Sequence, residues 1–175
     1  MNNNSSTKDL SLSSNERLYL KNKSTFFPKK YSNLKPNGLR IFTFHAGFKR
    51  KLNDLLILIF DKPAKSFAVF SKTTTPSAPI IWDKKYNKGF TKVLVINSGN
   101  ANAHTGVKGI KLINNYVNFL VKLINCKKTE VFVSSTGVIG EIFNPEIIKN
   151  QISNIVSKTS GNLKSAAEAI MTTDT

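Results

Sequence analysis

Cysteine is almost absent from this chain: Cys126 stands alone among 175 residues. A single thiol excludes an internal disulfide. It follows an apolar helical stretch, so its expected role is that of a small half-buried residue at a helix end. No run approaches the ~18 apolar residues a membrane helix needs. The start, Met1 to Asn15, lacks the hydrophobic core of a secretory signal, and a cytoplasmic location is the default expectation. There is no GxGxxG, no P-loop and no zinc-ligand spacing, so phosphate-cradle and metal chemistry have no support. Acidic residues are also scarce, 10 against 26 basic, for a net charge of +16. Such an excess invites a nucleic-acid partner. Arginine is scarce as well, however: Arg17, Arg40 and Arg50 are the only three. Readers of phosphates and bases lean on bidentate arginine. The lysines, accompanied by many Asn and Ile, carry the bias of AT-rich codons and read as solvated charge. No nucleic-acid partner is expected, and a basic nucleic-acid-binding module stays as an alternative.

What is present suffices for a folded domain. The chain is 40% hydrophobic with 12 Phe, enough for a core in one domain. Residues 1–27 are rich in Asn, Ser and Lys with little periodicity and read as a flexible tail. Strands are expected over Leu39 to Phe44, Asp54 to Phe60, Phe67 to Lys72, Pro79 to Trp82, Lys92 to Asn97 and Glu130 to Ser134. Leu55 to Phe60 is apolar at every position, as in a strand buried on both faces. From Gly106 to Asn125, Ile110, Ile113, Val117, Leu120, Val121 and Ile124 form one helical stripe. Asn144-Pro145 starts a second helix, with a stripe of Ile147, Ile148, Ile152 and Ile155. A short third helix should cover Leu163 to Ile170. Alternating strands and helices suggest layered α/β architecture.

Three segments carry chemistry. The last residues, Thr172-Thr173-Asp174-Thr175, follow the small-residue run Ala166-Ala167-Glu168-Ala169-Ile170-Met171. If the Met171–Thr172 bond is cut, the Thr172 hydroxyl becomes a nucleophile with its own α-amine as adjacent base. That amine titrates near pH ~8 and can take the hydroxyl proton without a histidine. Taken alone, a Thr/Asp cluster is more often a turn or cap. Upstream, Val93-Leu94-Val95-Ile96 opens into Asn97-Ser98-Gly99-Asn100-Ala101-Asn102-Ala103-His104-Thr105-Gly106. There Thr105-Gly106 begins the long helix, whose N-terminal N–H groups and dipole suit a developing oxyanion; the bland role of Thr105 is that of an N-cap. Val131-Phe132-Val133 opens into Ser134-Ser135-Thr136-Gly137-Val138-Ile139-Gly140-Glu141, whose bland role is a strand-to-loop turn.

NSGNANAHTG, STGVIGE and AIMTTDT, in that order, resemble the ornithine acetyltransferase family, the bifunctional glutamate N-acetyltransferases of arginine biosynthesis. His45-Ala46-Gly47-Phe48-Lys49 with Asn53-Asp54-Leu55-Leu56-Ile57, and Ala68-Val69-Phe70-Ser71 with Ala78-Pro79-Ile80, resemble earlier family segments. The likeness runs from about Pro36 to Thr175. It implies an α+β, layered sheet-and-helix sandwich and a precursor that cuts itself between Met171 and Thr172. Residues 28–171 would then be the α-chain domain and 172–175 the start of a truncated β chain, with two α and two β chains in the assembly. The resemblance also implies that Thr172 is the nucleophile, that Thr105 and Gly106 form the oxyanion hole, and that Thr136, with Thr172, binds substrate. A basic residue before the nucleophile binds substrate in the family; Lys158 and Lys164 both lie near, and the spacing chooses neither. His104 and His45 receive no catalytic role. The implied reaction moves acetyl from N-acetylornithine to glutamate through an acetyl-threonine ester. It needs no metal or prosthetic group, and acetyl-CoA is left open as a second donor. A peptidase with an N-terminal nucleophile on a similar fold, an aminopeptidase for instance, is the alternative within enzymes.

Overall fold

A computed structural model describes residues 36–173. The tail expected over 1–27 lies outside the described residues, as do Asp174 and Thr175. One mixed sheet organises the fold. Strand β1 (Leu39–Phe44) pairs antiparallel with β2 (Leu55–Lys65), β2 antiparallel with β3 (Phe90–Asn100), and β3 parallel with β4 (Val131–Val138). The order β1-β2-β3-β4 follows the sequence. Helix α1 (Ala78–Tyr86) lies between β2 and β3, and α2 (Gly106–Ile124) makes the crossover to β4. Helices α3 (Glu146–Ser153) and α4 (Leu163–Ile170) follow. The architecture is α+β with a mixed sheet and helices.

The sheet is covered on both faces, which is why the first part of β2, Leu55 to Phe60, reads as an unbroken apolar run. Leu55, Ile57 and Ile59 point into a large core with Trp82, Ile113, Val117, Leu120, Ile148 and Ile152. Leu56, on the other face, packs with Ile41 against Ala166 and Ala169 of α4. Two alanines three residues apart let α4 approach the sheet closely. Its entry is fixed by Gly161 N–H donating to the Ile41 carbonyl (2.7 Å) and the Ser160 hydroxyl accepting from Ile41 N–H (3.0 Å). These contacts also occupy the edge of β1, a usual place for unwanted pairing. Asn162 caps the helix, its side chain accepting from Ser165 N–H at 2.8 Å while the Ser165 hydroxyl reciprocates. The long-helix stripe is realised with its centre on Leu112, Ile113, Tyr116, Val117 and Leu120.

Two expected strands are absent. Pro79–Trp82 is the first part of α1: Ala78, Pro79, Trp82 and Asp83 are its buried residues, a helical spacing, with proline in the first turn. Phe67–Lys72 forms no strand; Phe67 is 100% exposed and Val69 99%. Its hydroxyls bond locally instead, Thr73 N–H to Ser71 and Thr75 N–H to Thr73, each at 3.2 Å.

Candidate active site

Strands β3 and β4 run parallel, so the polar segments that follow their apolar runs emerge at the same end of the sheet. Gly99 stands opposite Gly137 in that register. A Cβ on Gly137 would lie 2.3 Å from the Gly99 carbonyl carbon, and one on Gly99 would lie 2.8 Å from Phe48 Cβ. The glycines thus let three stretches of backbone meet. Thr136, exposed, pairs in register with Ser98, which is fully buried. The Ser98 hydroxyl donates to the Ala169 carbonyl at 2.6 Å, tying the last turn of α4 to the strand beside Thr136. Beyond that turn Met171 is extended, with φ −61° and ψ 143°, and Thr172 is exposed.

The loop from Asn100 to Gly106 is wired on every side. Ala101 N–H donates to the Val138 carbonyl (2.8 Å) and Gly140 N–H to the Ala103 carbonyl (2.9 Å). Buried Asn97 donates to the Asn100 carbonyl (2.7 Å) and accepts from the Ser135 hydroxyl (2.6 Å). Asn100 donates to the Glu141 carbonyl (3.1 Å) and accepts from Asn102 N–H (2.8 Å). Thr105 occupies the N-cap position of α2, but its side chain caps nothing; the hydroxyl donates to the Asn102 side-chain oxygen at 2.7 Å. The backbone alternates: φ is +55° at His104, −102° at Thr105 and +56° at Gly106. Left- and right-handed residues in alternation turn successive N–H groups toward one concavity, a nest suited to an anion or a developing negative charge. Left-handed His104 and Asn102 store backbone strain, which persists only where the surroundings enforce it. An open cleft of about 330 Å³ adjoins this turn, lined by Thr75, Pro76, Ala78, Ile81, His104, Thr105 and Gly106. Neither Thr136 nor Thr172 is among its lining residues.

A third piece was not anticipated from the sequence. The hairpin loop between β1 and β2 is gathered around the fully buried Asp54. Its carboxylate accepts from the N–H groups of Ala46 (2.6 Å), Gly47 (3.1 Å) and Lys49 (2.8 Å). His45 leans on the same loop, its Nδ1 2.9 Å from the Leu52 carbonyl. From this support the half-buried Lys49 reaches across the chain and donates its ammonium to the Met171 carbonyl. Lys158 stacks on the Phe44 ring, 4.3 Å from its centroid, and Lys164 lies 4.0 Å from Glu168.

The displaced titrations lie elsewhere. Burial pushes the Asp83 carboxyl up to about 7, while the Val133 N–H it accepts at 3.1 Å favours its charged form. This contact joins α1 to β4 and is a scaffold bond. Burial, and secondarily the charge of Glu130, push the Cys126 thiol up to about 11, far from a reactive thiolate. Among the described residues no group of three His, Cys, Asp or Glu could hold a metal ion, and no helix is long and apolar enough to cross a membrane.

The model of the ArgJ family matches residues 40–175. The arginine biosynthesis bifunctional protein ArgJ of Bartonella henselae is 40% identical over 87% of this chain and 38% of its own length. Its counterpart in Brucella suis is 39% identical over 79% of this chain and 34% of its own length. The chain therefore spans well under half the length of these curated relatives. The crystal structure of the Bacillus halodurans protein superposes with a TM-score of 0.72 at 32% identity, covering 79% of this chain and 74% of that one. Ornithine acetyltransferase of Mycobacterium tuberculosis, solved in complex with ornithine, gives a TM-score of 0.72 at 29% identity, covering 79% and 78%.

Proposed function

The chain belongs to the ArgJ family, and from that premise we propose that it is the α-chain portion, with the first β-chain residues, of an acetyltransferase that carries acetyl from N-acetylornithine to glutamate. One observation carries the reading. Two motif segments leave the scaffold at one end of the β3–β4 pair, and Ser98, in the first of them, binds the strand beside Thr136 to the helix that ends at the Met171–Thr172 bond. The precursor cuts that bond, freeing Thr172 with its hydroxyl as nucleophile and its α-amine as base. Thr172 then takes the acetyl group, releasing ornithine, and glutamate attacks the ester to give N-acetylglutamate. The nest at His104, Thr105 and Gly106 is the natural receptor for the oxyanion of both half-reactions. The Thr105 hydrogen faces Asn102, so the backbone N–H groups of the turn are the donors best placed for that charge. Thr136, exposed on the same end, contacts the amino-acid part of the substrate. Two α and two β chains in the cytoplasm complete the reading, with acetyl-CoA as a second donor still open. The ornithine bound by the Mycobacterium tuberculosis relative supports the substrate class.

The test is cleavage of the full-length precursor. Mass spectrometry should find two chains, the second beginning Thr-Thr-Asp-Thr, and Thr172→Ala should leave one uncut chain with no acetyl transfer. Cutting at another bond, or cutting that persists in Thr172→Ala, rules the nucleophile assignment out.

A further inference from the structure

The geometry points to Lys49 as a catalytic residue of the self-cleavage step, the cation that receives the negative charge developing on the Met171 carbonyl oxygen. This rests on the reading that the precursor cuts itself between Met171 and Thr172. In that step the Thr172 hydroxyl oxygen bonds to the Met171 carbonyl carbon, and the carbonyl electron pair moves onto oxygen. The hydroxyl proton passes to the Thr172 nitrogen. Collapse restores the carbonyl and breaks the C–N bond, leaving Met171 esterified to Thr172 with a free α-amine. One water then hydrolyses the ester to a Met171 carboxylate and a free Thr172 hydroxyl.

Lys49 already donates to the atom on which the charge appears. An ammonium bonded to that oxygen gains more from the oxyanion than from the neutral carbonyl, which is the condition for lowering a barrier. Lysines also cap helix C-termini by bonding their last carbonyls. Two features separate Lys49 from that role. The acceptor is the carbonyl of Met171, which is extended and outside α4, while the Ala169 carbonyl inside the helix is taken by Ser98. The lysine is aimed by a separate scaffold: Asp54 holds the loop through three N–H groups, and Gly99 leaves Phe48 the room that a Cβ, 2.8 Å from the Phe48 Cβ, would take. Ser98 and Lys49 thus grip the chain at carbonyls two residues apart just before the scissile bond. Acetyl transfer uses the nest around Thr105, so the oxyanion of self-cleavage and those of acetyl transfer are served by different donors. After cutting, the same ammonium faces the new Met171 carboxylate and retains the severed end.

Cleavage of the full-length precursor should be followed by mass spectrometry in wild type, Thr172→Ala, Lys49→Met and Lys49→Arg. Lys49→Met should slow cutting by ~10²-fold, with Lys49→Arg restoring most of the rate. A direct readout comes from the 175-residue chain carrying Thr172→Ala and labelled with ¹³C at the methionine carbonyls. The parent chain has two methionines and the Lys49→Met variant three, and in both Met171 is identified by coupling to ¹⁵N-labelled residue 172. Lys49→Met should move the Met171 carbonyl signal upfield by removing its donor. Wild-type cutting in Lys49→Met, or an unmoved carbonyl signal, overturns the proposal. Loss of cutting together with loss of folded structure in both lysine variants assigns Lys49 to folding and also overturns it. If the wild-type precursor itself stays whole, the self-cleavage reading fails and this inference fails with it.

Discussion

Two connecting segments of this molecule behave in opposite ways. Asn100–Gly106 is polar and small, yet its backbone and side chains bond to β4, α1 and each other, and it holds left-handed residues in place. Residues 66–77 contain Phe67, Val69 and Phe70, yet Phe67 and Val69 stand in solvent and the local bonds join neighbouring hydroxyls. Apolar content, the usual sign of a buried element, marks the looser segment. The tighter one is made by amide side chains and glycines that bring backbones together. For the oxyanion role proposed above that is the useful arrangement, because a charge-binding turn must not reorganise when charge appears.

The severest way to break this contrast is to fill the glycine contact under the tight loop. A Cβ on Gly137 would lie 2.3 Å from the Gly99 carbonyl carbon and 2.6 Å from Asn100 N, and Gly137 sits at φ +129°. These nearest atoms are all backbone, which leaves no flexible side chain to yield. Gly137→Ala should cost on the order of 4 kcal/mol or more in denaturant unfolding, at the rare end for a single substitution. A loss below about 1 kcal/mol would mean that the loop relaxes freely.

A gentler cut removes one bond within the loop. Thr105→Val leaves the buried Asn102 oxygen without its donor, a cost of about 1–3 kcal/mol. In the full-length precursor it should depress acetyl transfer per folded molecule by ~10²-fold, because the nest loses its fixed geometry. Thr105→Ser keeps the hydroxyl and should recover both. Full turnover in a folded Thr105→Val protein would leave the turn a scaffold feature with no part in the reaction.

The same contrast explains what could be read from the sequence. Strand β1, the doubly buried run of β2 and the stripes of α2 and α3 are written in local periodicity, and the fold repeats them. Pro79–Trp82 misled because four apolar-rich residues fit a strand as well as a helix turn; the spacing of Ala78, Pro79, Trp82 and Asp83, with Ser77 ahead of the proline, was the better signal. Thr105, Gly106 and Thr136 were singled out only by the family resemblance; on position alone, after apolar strands, they read as an N-cap and a turn. Lys49, Asp54 and Ser98 were not. Lys49 meets Met171 across 122 positions and Ser98 meets Ala169 across 71, distances at which no pattern in a single chain points from one to the other.

Phe67–Lys72 misled for a different reason, and the smallest expected effect tests it. Its alternation at Phe67 and Val69 imitates a half-buried strand, but β2 already has β1 and β3 on its two edges and offers no place for another. The start of the segment is fastened at Ser66, whose N–H donates to the Gly89 carbonyl (2.9 Å) and whose hydroxyl accepts from Thr91 (2.9 Å), without help from the phenyl and isopropyl groups. With 100% and 99% of their surface in water, they have no burial to lose. Phe67→Ser with Val69→Ser should therefore change the unfolding free energy of the 175-residue chain by no more than ~0.5 kcal/mol. Any residual effect would act through the unfolded chain, where such changes amount to a few tenths of a kcal/mol. A loss beyond ~1 kcal/mol would require that these side chains are covered in solution, and the segment would then belong with the tight loop.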